Sequence, residues 1–231
     1  MDWEKYWANK SDDRHTDPTA EGIAKEGREK LFHLGRGNRL LDVGCGTGKL
    51  LSQYAANFRE CIGVERSPKM LTEAQAKLLS ANIALLHGSV ESVWETVDGD
   101  FDAITMGQVA QFLTIREIAA FVAQAGKRLR PCGRIAIFDI IHSRKTVLRM
   151  MGLGRHREVP SGFEVVKRSG AVFVRWAAWP LIGRGRTFHP DGHMHAPEFF
   201  AAIAAENRMN IDVPMSMYYD YRFHAIMTPT P

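Results

Sequence analysis

The sequence predicts an α/β protein built on a mostly parallel sheet that closes with an antiparallel strand. Three observations predict it. Short apolar runs of strand character alternate with helical patterns from Leu40 to Ile141. One of these runs, Leu40-Leu41-Asp42-Val43, passes at once into Gly44, Gly46 and Gly48 and then into an apolar helical pattern from Leu50, which is a strand, a tight turn and a helix. The last two apolar runs, residues 210–213 and 218–227, are joined by a short connection and read as an antiparallel hairpin.

The 231 residues are enough for one substantial core, and 45% hydrophobic with 24% charged residues is the balance of a soluble globular chain. A single domain over 1–231 is therefore expected. No apolar run follows a basic start and none reaches the ~20 residues that span a bilayer, so neither a secretory leader nor an anchor is expected. Cys45, Cys61 and Cys132 are scattered and odd in number, the pattern of reduced thiols in a cytoplasmic protein. Net charge is +4, but residues 143–186 hold ten basic residues against Glu158 and Glu164, so the remainder is slightly acidic.

Taken in order, Trp3, Tyr6 and Trp7 fall at helical spacing, and Asp17-Pro18 reads as an N-cap followed by proline in the first turn. A helix to Leu34 follows, stopped by Gly35 and Gly37, so that 1–38 forms an N-terminal helical cap. The aromatic trio fits two readings, packing onto the sheet or covering a ligand site. Residues 39–43 form the first strand, 49–57 the first crossover helix and 61–65 the second strand. Glu65 ends that strand 23 residues after Asp42. An acid at this offset and place can accept hydrogen bonds from ribose hydroxyls. Ser67-Pro68 starts a helix to Leu79 with Met70 in its first turn. The third strand, 83–87, ends in Gly88-Ser89-Val90-Glu91, and the fourth, 101–106, in Gly107-Gln108-Val109-Ala110. Asp102, at the start of the fourth strand, is expected to be structural. Residues 115–129 are an amphipathic helix, 129–134 a turn containing Pro131-Cys132-Gly133, and 135–141 the fifth strand, which carries Asp139.

His142 follows directly, on the carboxyl edge where open α/β sheets bind ligands, and is a candidate general base. From 143 to 196 the strand–helix rhythm breaks. Basic residues there mix with apolar clusters, notably Ala171 to Trp179, which fits a lid over an apolar or anionic substrate, a patch on anionic lipid, or a helical cap packed on the core. His189, Asp191, His193 and His195 resemble a ligand cluster, but no metal site is expected from this spacing. Pro197 opens the last helix, to Glu206.

The glycine turn excludes two common phosphate loops. Val43 stands where a Walker loop needs its first glycine and Leu50 where it needs Ser or Thr; Lys49 stands where a dinucleotide GxGxxG needs its third glycine. Asp42 followed by G-x-G-x-G instead resembles the first motif of the class I S-adenosylmethionine-dependent methyltransferases. Glu65, the stretch after the third strand, the stretch after the fourth and Leu129-Arg130-Pro131-Cys132-Gly133 resemble the following motifs in order. Ser89 stands where the family has an Asp, and Cys132 where it has a glycine.

The resemblance implies a Rossmann-like seven-stranded sheet with helices on both faces and S-adenosyl-L-methionine as cofactor. It implies that Asp42, Gly44, Cys45 and Gly46 pass beneath the amino-acid end of the cofactor and that Glu65 takes the ribose. It places Arg66, Met70, Ser89 and Val90 around the adenine, and Met106 and Gln108 beneath the sulfonium. Gln108, with Gln111 behind it, and His142 are the candidate catalytic residues. In this family 143–196 would be the inserted substrate or lid region.

The expected reaction moves a methyl group to an oxygen of a small-molecule, glycan or lipid-linked acceptor, and the basic insert favours an anionic one. No nucleic-acid partner is expected, because no Asn/Asp-Pro-Pro-Tyr motif follows the fourth strand. The alternative is a non-catalytic protein that kept the cofactor-binding fold, or one that rests on a membrane surface through 143–186.

Overall fold

The computed structural model describes residues 19–78, 80–145 and 193–231. The aromatic trio, Asp17-Pro18, Leu79, His189, Asp191 and the basic stretch from 146 onward lie outside the described residues.

Seven strands form one sheet: β1 (Gly37–Val43), β2 (Phe58–Glu65), β3 (Ile83–His87), β4 (Phe101–Gly107), β5 (Leu129–Ile141), β6 (Met209–Asp212) and β7 (Arg222–Pro229). Their order is β3-β2-β1-β4-β5-β7-β6. β1 to β5 pair in parallel, while β7 runs antiparallel to both β5 and β6. One reversed strand therefore closes a parallel sheet, as expected. The order turns back at β1 and β4, which opens a crevice above their carboxyl ends.

The helices are α1 (Ala20–Leu34), α2 (Lys49–Tyr54), α3 (Pro68–Lys77), α4 (Val93–Thr96), α5 (Ile115–Gly126) and α6 (Pro197–Glu206). They cover both faces. One core packs Leu34 of α1 and Leu51 and Tyr54 of α2 on Leu40, Cys61, Ala103 and Phe138. The other packs Val93, Ile118, Phe121, Val122, Phe200 and Ile203 from α4, α5 and α6 on Leu41, Ile104, Ile137 and Phe223. β1 is buried on both faces from Leu40 to Val43, which is why its sequence is continuously apolar around Asp42. No helix among the described residues is long and apolar enough to cross a membrane.

Several boundaries differ from the sequence expectation. α1 is capped by Thr19, whose hydroxyl accepts from Gly22 N at 3.0 Å, and ends at Gly35 with φ +74. α2 ends at Tyr54 instead of Asn57, because Asn57 N turns back to Tyr54 O and its side-chain amide donates to Gly35 O. α5 opens on a capping box between Thr114 and Glu117.

The expected turn at Pro131-Cys132-Gly133 lies inside β5 as a bulge: Phe101 pairs with Leu129, yet Ala103 pairs with Arg134. Cys132 takes φ +66 there, and a Cβ on Gly133 would come within 3.0 Å of the Phe101 carbonyl oxygen. β7 begins at Arg222 instead of Tyr218, because Tyr218 and Tyr219 spend their hydroxyls on Lys25 O and on Glu26 of α1. Asp102 is structural: its Oδ2 accepts from the amides of Asn38 and Arg39 and from Arg130.

A buried ionic cluster seats α1 on the sheet. A second irregularity in β5, between Ile137 and Ile140, gives Asp139 φ +58. Its Oδ2 lies 2.8 Å from the fully buried Lys30 Nζ, which also reaches Glu26 Oε2 at 3.5 Å. His224 Nδ1 accepts from Asp139 N, so its Nε2–H donates to Glu29 Oε1 at 3.2 Å. Burial pushes the Asp139 carboxyl up, but Lys30 and Arg222 outweigh it and hold it well below the usual carboxylate range. Burial dominates at Glu26 and raises it, against the pull of Lys30.

Candidate functional site

The glycine turn after β1 is shaped by positive φ at Gly44 (+80), Gly46 (+58) and Gly48 (+76). Gly44 N and Cys45 N both donate to Val64 O, at 2.7 and 3.1 Å, tying the turn to β2. A Cβ on Gly44 would stand 2.4 Å from Val109 Cγ2, so the turn and the loop after β4 meet at a distance that glycine allows.

Glu65 closes the other side. It is buried, its Oε2 accepts from Gly46 N at 2.9 Å, and its Oε1 accepts from Ser67 N at 2.7 Å. One carboxylate thus joins the glycine turn to the start of α3, where the Ser67 hydroxyl caps Met70 N at 3.3 Å. The two oxygens of an ionised carboxylate accept about four hydrogen bonds in all.

These elements enclose one cavity at the carboxyl edge of the sheet. Its wall includes Asp42, Gly44, Cys45, Gly46, Glu65, Arg66, Met70, Ser89, Val90 and Gln108. Ten of the thirteen residues proposed from sequence are therefore brought together. Met106 is not: its side chain is fully buried in the core below β4. His142 is not either. Its ring packs on Phe223, its N donates to Tyr221 O, and its Nδ1 accepts from Arg144 N at 3.1 Å. That contact places the ring proton on Nε2. Burial, then Lys145 and Arg144, lowers its pKa, so the ring is neutral at neutral pH.

Ser89 lines the cavity, but its hydroxyl is engaged with Ser92 Oγ at 3.3 Å and with Ser92 N. Gln108 stands at φ +59 directly after β4, held by its own N to Phe138 O at 3.1 Å, and its buried side-chain nitrogen has no hydrogen-bond partner among the described residues. Gln111 turns back instead, donating to Gln108 O at 3.2 Å. The histidines before α6 brace this loop: His193 N donates to Gln111 O, and His195 Nε2–H donates to Ala110 O at 3.0 Å.

Sequence reasoning missed Lys49, Tyr54, Phe112, Leu113 and Glu117, which also line the cavity. Phe112 and Leu113 carry a signal in the apolar residues that follow Gln108. Tyr54 carries none, since an aromatic residue at the end of an amphipathic helix reads as core. Burial, with Asp42 and Asp139 adding, pushes its phenol well above the ordinary value, so it is a neutral hydrogen-bonding wall.

A family profile described as a methyltransferase domain matches residues 40–133. Cobalt-precorrin-6B C(15)-methyltransferase (decarboxylating) of Salmonella typhimurium is 30% identical over 204 residues, covering 84% of this chain and 93% of that one. Demethylmenaquinone methyltransferase of Tropheryma whipplei is 29% identical over 126 residues, covering 51% of this chain and 48% of the relative. The chain spans about half the length of several curated relatives it matches. Among solved structures, magnesium protoporphyrin IX methyltransferase of Synechocystis superposes with a TM-score of 0.62 at 14% identity, over 99% of this chain and 95% of that one, a likeness of fold. With the glycine turn, the acid after β2 and the reversed β7 in place, the chain belongs to the class I S-adenosylmethionine-dependent methyltransferases.

Proposed function

We propose that the cavity holds S-adenosyl-L-methionine and that the protein carries its methyl group to an oxygen of a small-molecule acceptor in the cytoplasm. The observation that carries this reading is Glu65, a buried carboxylate hydrogen-bonded to the glycine turn inside the same cavity. The residues fit the group. The glycine turn presents backbone to the cavity at Gly44 and Gly46, against which a ligand can lie, and Glu65 presents an acceptor of the kind that takes ribose hydroxyls.

In this reading Asp42, Gly44, Cys45 and Gly46 hold the amino-acid end, Glu65 the ribose, and Arg66, Met70, Ser89 and Val90 the adenine side. The cofactor supplies an electrophilic methyl on a sulfonium with a good leaving group. What the protein must add is alignment of the acceptor. The side-chain amide of Gln108 is the donor we assign to that task, because Gln108 lines the cavity and its nitrogen lacks a hydrogen-bond partner among the described residues. His142 receives no role as a base, since its Nδ1 lone pair is taken by the Arg144 amide. Residues 1–231 act as one methyltransferase domain, with 1–38 as its N-terminal cap and 143–196 on the acceptor side.

The relatives named above are enzymes of a precorrin and of demethylmenaquinone, which supports a small-molecule acceptor. Calorimetry with S-adenosylhomocysteine tests the site, and transfer of a labelled methyl group to a panel of hydroxylated aromatics, amino sugars and tetrapyrroles tests the reaction. Micromolar binding of the product and labelling of one panel member are expected. Failure of S-adenosylhomocysteine to bind refutes the reading.

A further inference from the structure

Part of the cavity wall is built without the glycine turn. Phe112 and Leu113 lead from the loop after β4 into α5, and with Val90 and Met70 they give the cavity an apolar lining. α4 and α5 pack together through Trp94 and Phe121, whose ring centroids are 5.6 Å apart. Val90 precedes Trp94, and Glu117 precedes Phe121, by four residues each. The loop after β3 and the first turn of α5 therefore share one side of the site, and both Val90 and Glu117 line it.

Glu117 is half-buried, and its Oε2 accepts from Thr114 N in the capping box that opens α5. Its Oε1 makes no hydrogen bond or ion pair with any described residue. His193 is drawn to this carboxylate electrostatically, yet burial lowers the pKa of that ring, which leaves it neutral at neutral pH and the carboxylate uncompensated.

The other acceptors nearby are less available. The Ser89 hydroxyl is closed onto Ser92 Oγ and Ser92 N within its own turn. Glu91 is exposed, and no hydrogen bond to a described residue holds it in place. Glu65 is engaged with Gly46 N and Ser67 N. An adenine that enters an apolar slot brings an exocyclic amine, and a donor taken out of water needs an acceptor.

We propose that Glu117 reads the base of the cofactor: its Oε1 accepts from the exocyclic amine of adenine while Oε2 stays on Thr114 N. The assignment rests on the methyl-transfer reading, which brings the adenosyl group into the cavity. The first turn of α5 then sets the preference of the site for adenine over purines that carry an acceptor at the same position.

Glu117→Gln inverts this feature without removing the helix cap. A capping box takes Gln as well as Glu, so the one side-chain oxygen stays on Thr114 N and the NH2 group replaces Oε1 in the cavity. The variant presents a donor where the wild type presents an acceptor.

Calorimetry on the full chain compares S-adenosylhomocysteine with S-inosylhomocysteine, which carries an oxygen in place of the amine. Wild type is expected to bind the adenosine compound at least about tenfold more tightly, because the inosine oxygen sets an acceptor against a carboxylate. In Glu117→Gln that preference is expected to fall by at least about tenfold, and in Glu91→Gln to stay as it is. A loss of packing alone would weaken both compounds alike and leave their ratio unchanged. A ratio that Glu117→Gln does not alter, or that Glu91→Gln alters instead, overturns the proposal, while binding of S-adenosylhomocysteine keeps the methyl-transfer reading. If the wild type does not bind S-adenosylhomocysteine, both fall. Should Glu117→Gln fail to fold, the wild type decides: the Glu117 carboxyl carbon resonance must move when S-adenosylhomocysteine binds, and an unmoved resonance, or equal affinity for the two compounds, overturns the proposal.

Discussion

Replacing Glu65 separates two functions that one carboxylate performs. It accepts from Gly46 N at 2.9 Å and from Ser67 N at 2.7 Å, and in the proposed complex it also accepts from the cofactor's ribose. Glu65→Ala leaves both backbone donors without that acceptor, at about 1–3 kcal/mol for each buried group left unpaired. It also removes the ribose contact, a charge-assisted hydrogen bond whose loss weakens S-adenosylhomocysteine by about 1–3 kcal/mol, or roughly 5- to 150-fold in Kd. Glu65→Gln keeps one carbonyl acceptor but turns an NH2 toward the other backbone donor, so it is expected to fall between wild type and alanine in both respects. Urea denaturation reads the first effect and calorimetry the second. If Glu65→Ala remains folded and binds S-adenosylhomocysteine as tightly as wild type, the carboxylate serves the turn alone and the assignment of the ribose fails.

Lys30→Met strands Asp139 as a buried charge and is expected to cost about 3–5 kcal/mol in urea unfolding, much of it recovered by adding Asp139→Asn. Asp139 titrates below its unfolded value, so its stabilisation is present above about pH 4 and is lost as the pH falls below that toward its folded pKa. The wild type should therefore lose stability in acid more steeply than Asp139→Asn, and parallel acid limbs would contradict this. Gly44→Ala forces a Cβ against Val109 at positive φ, and its affinity for S-adenosylhomocysteine should fall by about tenfold or more, with only partial recovery in a Val109→Ala background because φ stays unfavourable. Burial pushes the Cys61 thiol up to about 12, while Cys132 is exposed, so a thiol reagent at pH 8 should modify Cys132 first and leave Cys61 unreacted in the folded protein.

The sheet was legible because its strands are short apolar runs punctuated by glycine, and β3 and α6 fall where the sequence pattern puts them. The glycine turn and Glu65 were legible for the same reason: backbone geometry demands those residue types. What escaped is tertiary. Nothing local marks Pro131-Cys132-Gly133 as a bulge within β5, since its register is set by Phe101 and Ala103 on the partner strand. Tyr54 is assigned to the cavity by the packing of α2, and Lys30, Glu29 and Glu26 read as a solvated helix face until β5 and β7 supply Asp139 and His224. His142 stands at the expected edge, yet its ring direction is decided by the Arg144 amide two residues on.

The ionic seat of α1 has a consequence for how the protein can vary. Apolar contacts let a helix slide or roll with little change in energy, whereas the Lys30–Asp139 and Glu29–His224 pairs exist at one axial position and one rotation only. A shift by one turn would leave both buried pairs broken. The helix therefore behaves as a locating pin: substitutions at its outward positions, such as the exposed Phe32, change the surface without moving Thr19 relative to the sheet.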